Sequence, residues 1–159
     1  MCKIDEKINN LYLREAVTED MMLLFCWVND PVVRQSSFCA DEIALAAHRK
    51  WFENAMLDAN MKIYILQRGE LPVGQVRIEL RDSEWHIGYS IDAAWRGKGY
   101  GRIVLQLLER MVSDGTLLLG EVKFNNIASQ KVFEDLGYTK SVDTNKSSFE
   151  YRKCIESIR

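Results

Sequence analysis

The chain has 159 residues, 47% of them hydrophobic, with 21 basic and 23 acidic side chains and a formal net charge of -2. That length and composition describe one folded domain with room for a core, spanning residues 1–159, and exclude a disordered chain. The near balance of charge excludes a protein drawn as a whole to nucleic acid or an anionic membrane, so any anion site has to be a local cluster or be built from backbone.

In chain order, Leu11, Leu13 and Glu15 alternate with Tyr12 and Arg14 as a first strand. Thr18 is placed to cap a helix with the stripe Met21, Leu24, Phe25 and Val28, which Asn29-Asp30-Pro31 should stop. A polar turn from Arg34 to Ala40 follows, and Asp41 should open a second helix carrying Leu45, His48, Phe52 and Met56. Residues 62–67 and 73–80 read as a hairpin through the turn 68–72, and Trp85, Ile87, Tyr89 and Ile91 alternate as the next antiparallel strand. Gly97 to Gly101 leads into a helix with the stripe Val104, Leu107, Leu108 and Met111. A short apolar strand (117–122), a helix (127–136) ended by Gly137 and a final hairpin through residues 143–146 complete the order β-α-α-β-β-β-α-β-α-β-β, an α+β class with helices on the faces of a mixed sheet.

Cys2, Cys26, Cys39 and Cys154 form no CxxC pair and have no histidine at metal spacing, so no metal is expected and the cysteines read as small buried hydrophobes. The opening MCKIDEKINN lacks the apolar stretch of a signal peptide, and no run approaches the ~20 apolar residues of a membrane span. A reducing cytoplasmic location, with no membrane or nucleic-acid partner, is the expectation.

Chemistry concentrates in Arg96-Gly97-Lys98-Gly99-Tyr100-Gly101, between a strand and an amphipathic helix. Three glycines in five residues bare the backbone N–H groups, and a helix N-terminus adds about half a positive charge, a combination suited to phosphate. Arg96, Lys98 and Arg102 supply local cations. The spacing is neither a Walker loop nor the GxGxxG of a dinucleotide fold. A turn that only reverses the chain is the plain alternative.

Residues 85–138 resemble the GNAT acyltransferase superfamily. The resemblance rests on the Arg96–Gly101 loop, on Glu121-Val122-Lys123-Phe124-Asn125-Asn126-Ile127-Ala128-Ser129 running to Leu136-Gly137-Tyr138, and on the matching element order. It implies a mostly antiparallel sheet of six or seven strands, splayed in the middle and flanked by about four helices. It implies acetyl-CoA as acyl donor, its pyrophosphate on backbone N–H groups of residues 96–101 with Arg102 beside them, and its pantetheine beside Ile87, Tyr89 and Ile91, with Asn126 bonded to it and Ser129 one turn on. Acyl transfer by direct amine attack needs a proton acceptor, an oxyanion donor and an acid for the thiolate. Glu121 sits where similar enzymes carry a base, although a salt-bridged surface role is equally open. The usual acid, a tyrosine, is replaced by Phe133; Tyr138 is the candidate substitute, with Tyr89, His86 and water as alternatives.

The N-terminal half resembles a subgroup that acetylates nucleotide-linked 4-amino sugars, through Trp27–Arg34, Ser36-Ser37-Phe38, His48–Phe52 and Gly74–Arg77. Arg34 and Arg77 suit phosphates, Trp51 or Phe38 a base, and Asn29 and Gln75 hydroxyls or amides, with His48 alongside. Core packing is the competing reading for Trp27, Trp51 and Phe52. The partner implied is a small amine, and a homodimer is compatible with it. Acetylation of proteins or other small amines, and a non-catalytic acyl-CoA-binding module, are the alternatives.

Overall fold

The run Ile63-Tyr64-Ile65-Leu66 is buried on both sides, and two cores use it. Side chains of a strand alternate between faces. Tyr64 and Leu66 join one core with Val76, Ile78, Val104 and Leu108, while Ile63 and Ile65 join another with Leu24, Trp27 and Phe52. This strand therefore lies inside a three-layer arrangement. The computed structural model describes residues 10–157.

The strands are β1 (Leu11–Glu15), β2 (Met61–Arg68), β3 (Leu71–Arg81), β4 (Glu84–Ile91), β5 (Leu117–Lys123), β6 (Thr139–Asp143) and β7 (Ser148–Cys154). They form one sheet in the order β1-β2-β3-β4-β5-β7-β6. Every neighbour is antiparallel except β4 and β5, which are parallel. The helices are α1 (Met21–Val28), α2 (Pro31–Ser36), α3 (Leu45–Leu57), α4 (Tyr100–Met111) and α5 (Ile127–Asp135). α1 and α3 cover the Ile63/Ile65 face, and α4 covers the opposite one with α5 beside it. Filling each face from its own helices stabilises the sheet by about 1.5–3 kcal/mol per fully buried large apolar side chain.

Several local expectations need correction. Asn29-Asp30-Pro31 ends α1 but also starts α2, because Asp30 caps it by accepting from the Val32 and Val33 N–H groups and Pro31 is tolerated in a first turn. The polar stretch from Arg34 is thus partly helical, and the described residues form five α-helices. Asp41 does not open α3, whose N-cap is Ala44. Thr18 starts a 3-10 turn, and Asp20 organises it by accepting from the Val17 N–H and both terminal nitrogens of Arg14. Cys26, Cys39 and Cys154 are exposed free thiols, not buried hydrophobes, and Cys2 lies outside the described residues. No helix among the described residues is long and apolar enough to cross a membrane.

Candidate active site

β4 and β5 pair only at Trp85–Leu118, His86–Leu119 and Ile87–Gly120. Beyond Ile87, β4 stays with β3 through Ile91 and β5 stays with β7 through Lys123, so the two strands part. Their facing edges carry backbone donors and acceptors with no ladder partner on that side, the kind of edge an extended ligand can join. A cleft of about 1160 Å³ runs through this opening and reaches both faces of the sheet.

On the α4 side the cleft ends at the glycine turn. Gly97 and Gly99 take φ of 74° and 86°, a region that penalises side chains, and an added Cβ on either would meet nothing within 4 Å. Gly99 is the N-cap of α4, so the first N–H groups of that helix open onto the cleft with its dipole behind them. The buried Arg102 Nε has no hydrogen-bond partner among the described residues, and Arg102 Nη1 is 4.0 Å from Asp135. Bare N–H groups, open space and an orphaned guanidinium nitrogen fit a pyrophosphate.

The other two loop cations are committed elsewhere. Arg96 donates from Nε to the Ile91 carbonyl and from Nη2 to Asp30 Oδ1 at 2.8 Å. Burial opposes ionisation of Asp30, yet Arg96 and the α2 N–H groups hold its carboxyl below the usual range. Arg96 thus ties the glycine turn to α2. The Lys98 ammonium lies 4.9 Å from the Trp95 ring, and Lys98 is absent from the cleft wall while Tyr100 and Gly101 line it. At α5, Asn126 spends its Oδ1 on the Ser129 N–H as N-cap, which leaves its amide NH₂ for a ligand.

Four groups bear on the acid. Phe133 is 2% exposed, and its ring stacks on Tyr151 and meets Tyr138 and Tyr89 edge-on. Tyr138 is not on the cleft wall: it is 6% exposed in the core, and burial beside Glu109 pushes its pKa up. The structure therefore does not bring Tyr138 to the reacting groups. Tyr89 does line the cleft, with its hydroxyl 2.6 Å from Ser129 Oγ. His86 lies on the opposite face, across from Glu79.

That opposite face carries the acceptor candidates. The register places Gln75, Arg77 and Glu79 beside Ser90, Gly88 and His86. Gly88 makes room for Arg77, since a Cβ there would lie 3.1 Å from the Arg77 Nε. The Trp51 ring covers the same guanidinium at 5.3 Å. The Arg77 guanidinium makes no hydrogen bond or ion pair among the described residues. Burial lowers its pKa; Glu79 offsets this in part, and Arg81 and Arg34 add to it. Gln75 donates to Ser90 Oγ, and Phe38 is a half-exposed part of the wall.

His48 is buried among Phe25, Trp51 and Phe52, with Nε2 donating to the Met21 carbonyl, so its Nδ1 carries the lone pair. Burial lowers its pKa; the Met21 carbonyl opposes this and Arg77 reinforces it. Glu121 lies past the last β4–β5 pair, lines the cleft and is paired with Lys146 at 3.2 Å.

Two residues expected to read substrate instead hold loops. Arg34 gives its donors to the Val28, Cys39 and Asp41 carbonyls and to Ser37 Oγ. Asn29 exchanges two hydrogen bonds with the Ile43 backbone and is absent from the cleft wall. Sequence reasoning missed Asp92, which accepts from Trp27 Nε1 at 2.8 Å, and Gln130, which donates to the Lys123 and Phe124 carbonyls and shapes the approach to α5. It also missed Gly88 and Gly120, whose importance lies in which ring or guanidinium covers them; no local signal could reveal that.

The acetyltransferase (GNAT) domain family model matches residues 10–139. The uncharacterized N-acetyltransferase YfmK of Bacillus subtilis (strain 168) is 32% identical over 59 residues, 37% of this chain and only 40% of that relative's length. An acetyltransferase structure from Thermus thermophilus superposes with a TM-score of 0.78 at 19% identity, over 92% of this chain and 98% of that one. The spermidine N-acetyltransferase of Vibrio cholerae, solved with CoA and spermine, superposes with a TM-score of 0.76 at 13% identity, over 90% and 93% of the two chains.

Proposed function

Because this chain belongs to the GNAT acetyltransferase family, we propose that it is an acetyl-CoA-dependent N-acetyltransferase whose acceptor amine belongs to an amino-deoxy sugar carried on a nucleotide. The donor, when bound, supplies an activated thioester carbonyl. The N–H groups at the start of α4 and the Arg102 guanidinium bind its pyrophosphate, the free edge of β4 pairs with its amide arm, and the Asn126 amide adds a donor. A β4 N–H donates to the carbonyl oxygen as negative charge develops there. Glu121, which lines the cleft past the last β4–β5 pair, accepts the proton of the attacking amine.

The observation that carries the acceptor reading is the Arg77 guanidinium, packed beside Gly88, covered by Trp51 and without an anionic partner among the described residues. A desolvated cation of this kind favours a phosphate or carboxylate, which its planar fork can meet with two parallel bonds. The acid beside Arg77 that a polyamine would use, Glu79, is already paired with Arg81. The acceptor cleft therefore differs in charge from what the spermine bound by the Vibrio cholerae enzyme would select. Trp51 and Phe38 offer rings for a base, and Gln75 and Ser90 offer hydrogen bonds for a sugar.

The test is thiol release from acetyl-CoA with a UDP-linked 4-amino sugar, spermine, an aminoglycoside and a peptide with a free N-terminus. The nucleotide-linked amine should be preferred, and Arg77→Gln should lower its kcat/KM by about 10–100-fold through KM, the value of a charge-assisted bond. Preference for spermine would end the amino-sugar reading. CoA binding without thiol release for any amine would point to a non-catalytic acyl-CoA module.

A further inference from the structure

We propose that Tyr89, oriented by Ser129, donates the proton taken up by the departing CoA sulfur. This rests on the acetyltransferase reading above and adds the acid that the substitution at Phe133 leaves missing. Tyr89 is the second residue of β4 past its last pair with β5, so its backbone borders the opening. Its cross-strand partner is Val76, which belongs to the core beneath α4, so its side chain points to the cofactor side of the sheet. There the ring meets Phe133 edge-on at 6.2 Å between centroids, and the hydroxyl reaches across to Ser129 on α5 at 2.6 Å. The bond spans from the β4 side of the gap to the helix that carries Asn126 at its cap.

Three features hold this ring in place. Phe133 flanks it, Ser129 bonds its end, and Gly101 in the first turn of α4 leaves its space, since a Cβ there would come 3.3 Å from Tyr89 Cε2. Other hydroxyls are worse placed: Tyr138 is off the cleft, Ser90 faces the acceptor side and accepts from Gln75, and Tyr100 packs edge-on against Trp95 by the glycine turn. Either hydroxyl can donate in this contact; with Ser129 donating to the Tyr89 oxygen, the phenolic proton is free for the gap and the phenolate left behind is stabilised. Burial pushes the Tyr89 pKa up and the Ser129 bond partly offsets this, so the phenol keeps its proton at neutral pH.

The step balances as follows. The amine nitrogen bonds to the carbonyl carbon and its proton passes to the base. The C–S bond breaks with its electron pair on sulfur, and the Tyr89 proton moves to that sulfur, giving the free thiol. The phenolate then takes a proton from water. The products are the N-acetyl amine and CoA thiol, with no further reactant.

The experiment titrates the thiol of CoA bound to the whole protein by thiolate ultraviolet absorbance, with binding followed separately by calorimetry, and needs no acceptor. A Tyr89 hydroxyl bonded to sulfur stabilises the thiolate, so Tyr89→Phe should raise the bound thiol pKa by about one unit, a tenfold loss of thiolate at a given pH, with CoA affinity within about threefold. Ser129→Ala should give a smaller rise. Identical titrations in wild type and Tyr89→Phe, with CoA bound equally, would overturn the proposal. If Tyr89→Phe does not fold, Ser129→Ala decides, and no shift there overturns it as well. Failure of the wild-type protein to bind CoA would appear in the calorimetry, bringing down the acetyltransferase reading and this inference with it.

Discussion

Phe133 lies so close over Gly120 that a methyl group on Gly120 would come within 2.3 Å of its Cζ. Gly120 sits at the last rung joining β4 to β5, opposite Ile87, and Phe133 covers it from α5. The ring that occupies the expected acid position is thus a packing element that seats α5 on the sheet just where the strands divide. Gly120→Ala should force that ring aside and cost about 2 kcal/mol or more, as overpacking does in well-filled cores. Urea denaturation should show a lower midpoint with an unchanged m-value; an unmoved midpoint would mean the ring has room to shift.

Gly99 caps α4 at φ 86°. Gly99→Ala meets no steric neighbour, so its cost is backbone strain alone, about 1–2 kcal/mol. Because that strain falls on the N–H groups assigned to the pyrophosphate, calorimetry should show CoA affinity reduced by roughly tenfold, with secondary structure unchanged. Equal affinity in the variant would remove the turn from the cofactor site.

Asp30 serves both halves of the cleft, capping α2 and receiving Arg96 from the glycine turn. Asp30→Ala removes a cap worth about 1 kcal/mol of stability. Its effect on function should appear on both ligands: the CoA dissociation constant and the acceptor KM should rise together. A change confined to stability would show that Arg96 holds the turn without Asp30.

His48 has a folded-state pKa below its ordinary value, from burial first and Arg77 further. Above the ordinary value of about 6.5 the ring is neutral in both states and its effect on stability is nil. As pH falls below that, the unfolded chain takes up the proton first, so stability declines until the folded pKa is passed. The Tm should therefore drop between pH 7 and pH 5. His48→Gln, whose amide can still donate to the Met21 carbonyl, should flatten that drop. Parallel curves for wild type and variant would assign it to other groups.

Much of this was legible in the sequence because it depends on local physics. The alternations of β2 to β4, the amphipathic stripe of α4 and the glycine turn are written in spacing and residue type, and the structure keeps them. Asp30-Pro31 misled because one Asx-Pro pair both ends a helix and caps the next; only the fold of the following residues decides. Arg34 and Arg77 look alike in sequence, two arginines near aromatic residues, yet one spends its donors on loop carbonyls and the other lines the cleft under the Trp51 ring with no side-chain hydrogen bond among the described residues.

By itself, then, the sequence determined the order of the strands, the glycine turn and the absence of an acidic hydroxyl at position 133. The tertiary structure alone decided that β4 and β5 part after Ile87, that Tyr138 is turned into the core while Tyr89 reaches Ser129, and that the Arg77 guanidinium lies under Trp51 with no ion pair among the described residues. The reason is physical. Periodicity and turn chemistry act over a few neighbouring residues, whereas strand divergence and the partnering of a guanidinium or hydroxyl depend on groups tens of residues apart, whose meeting is set by packing.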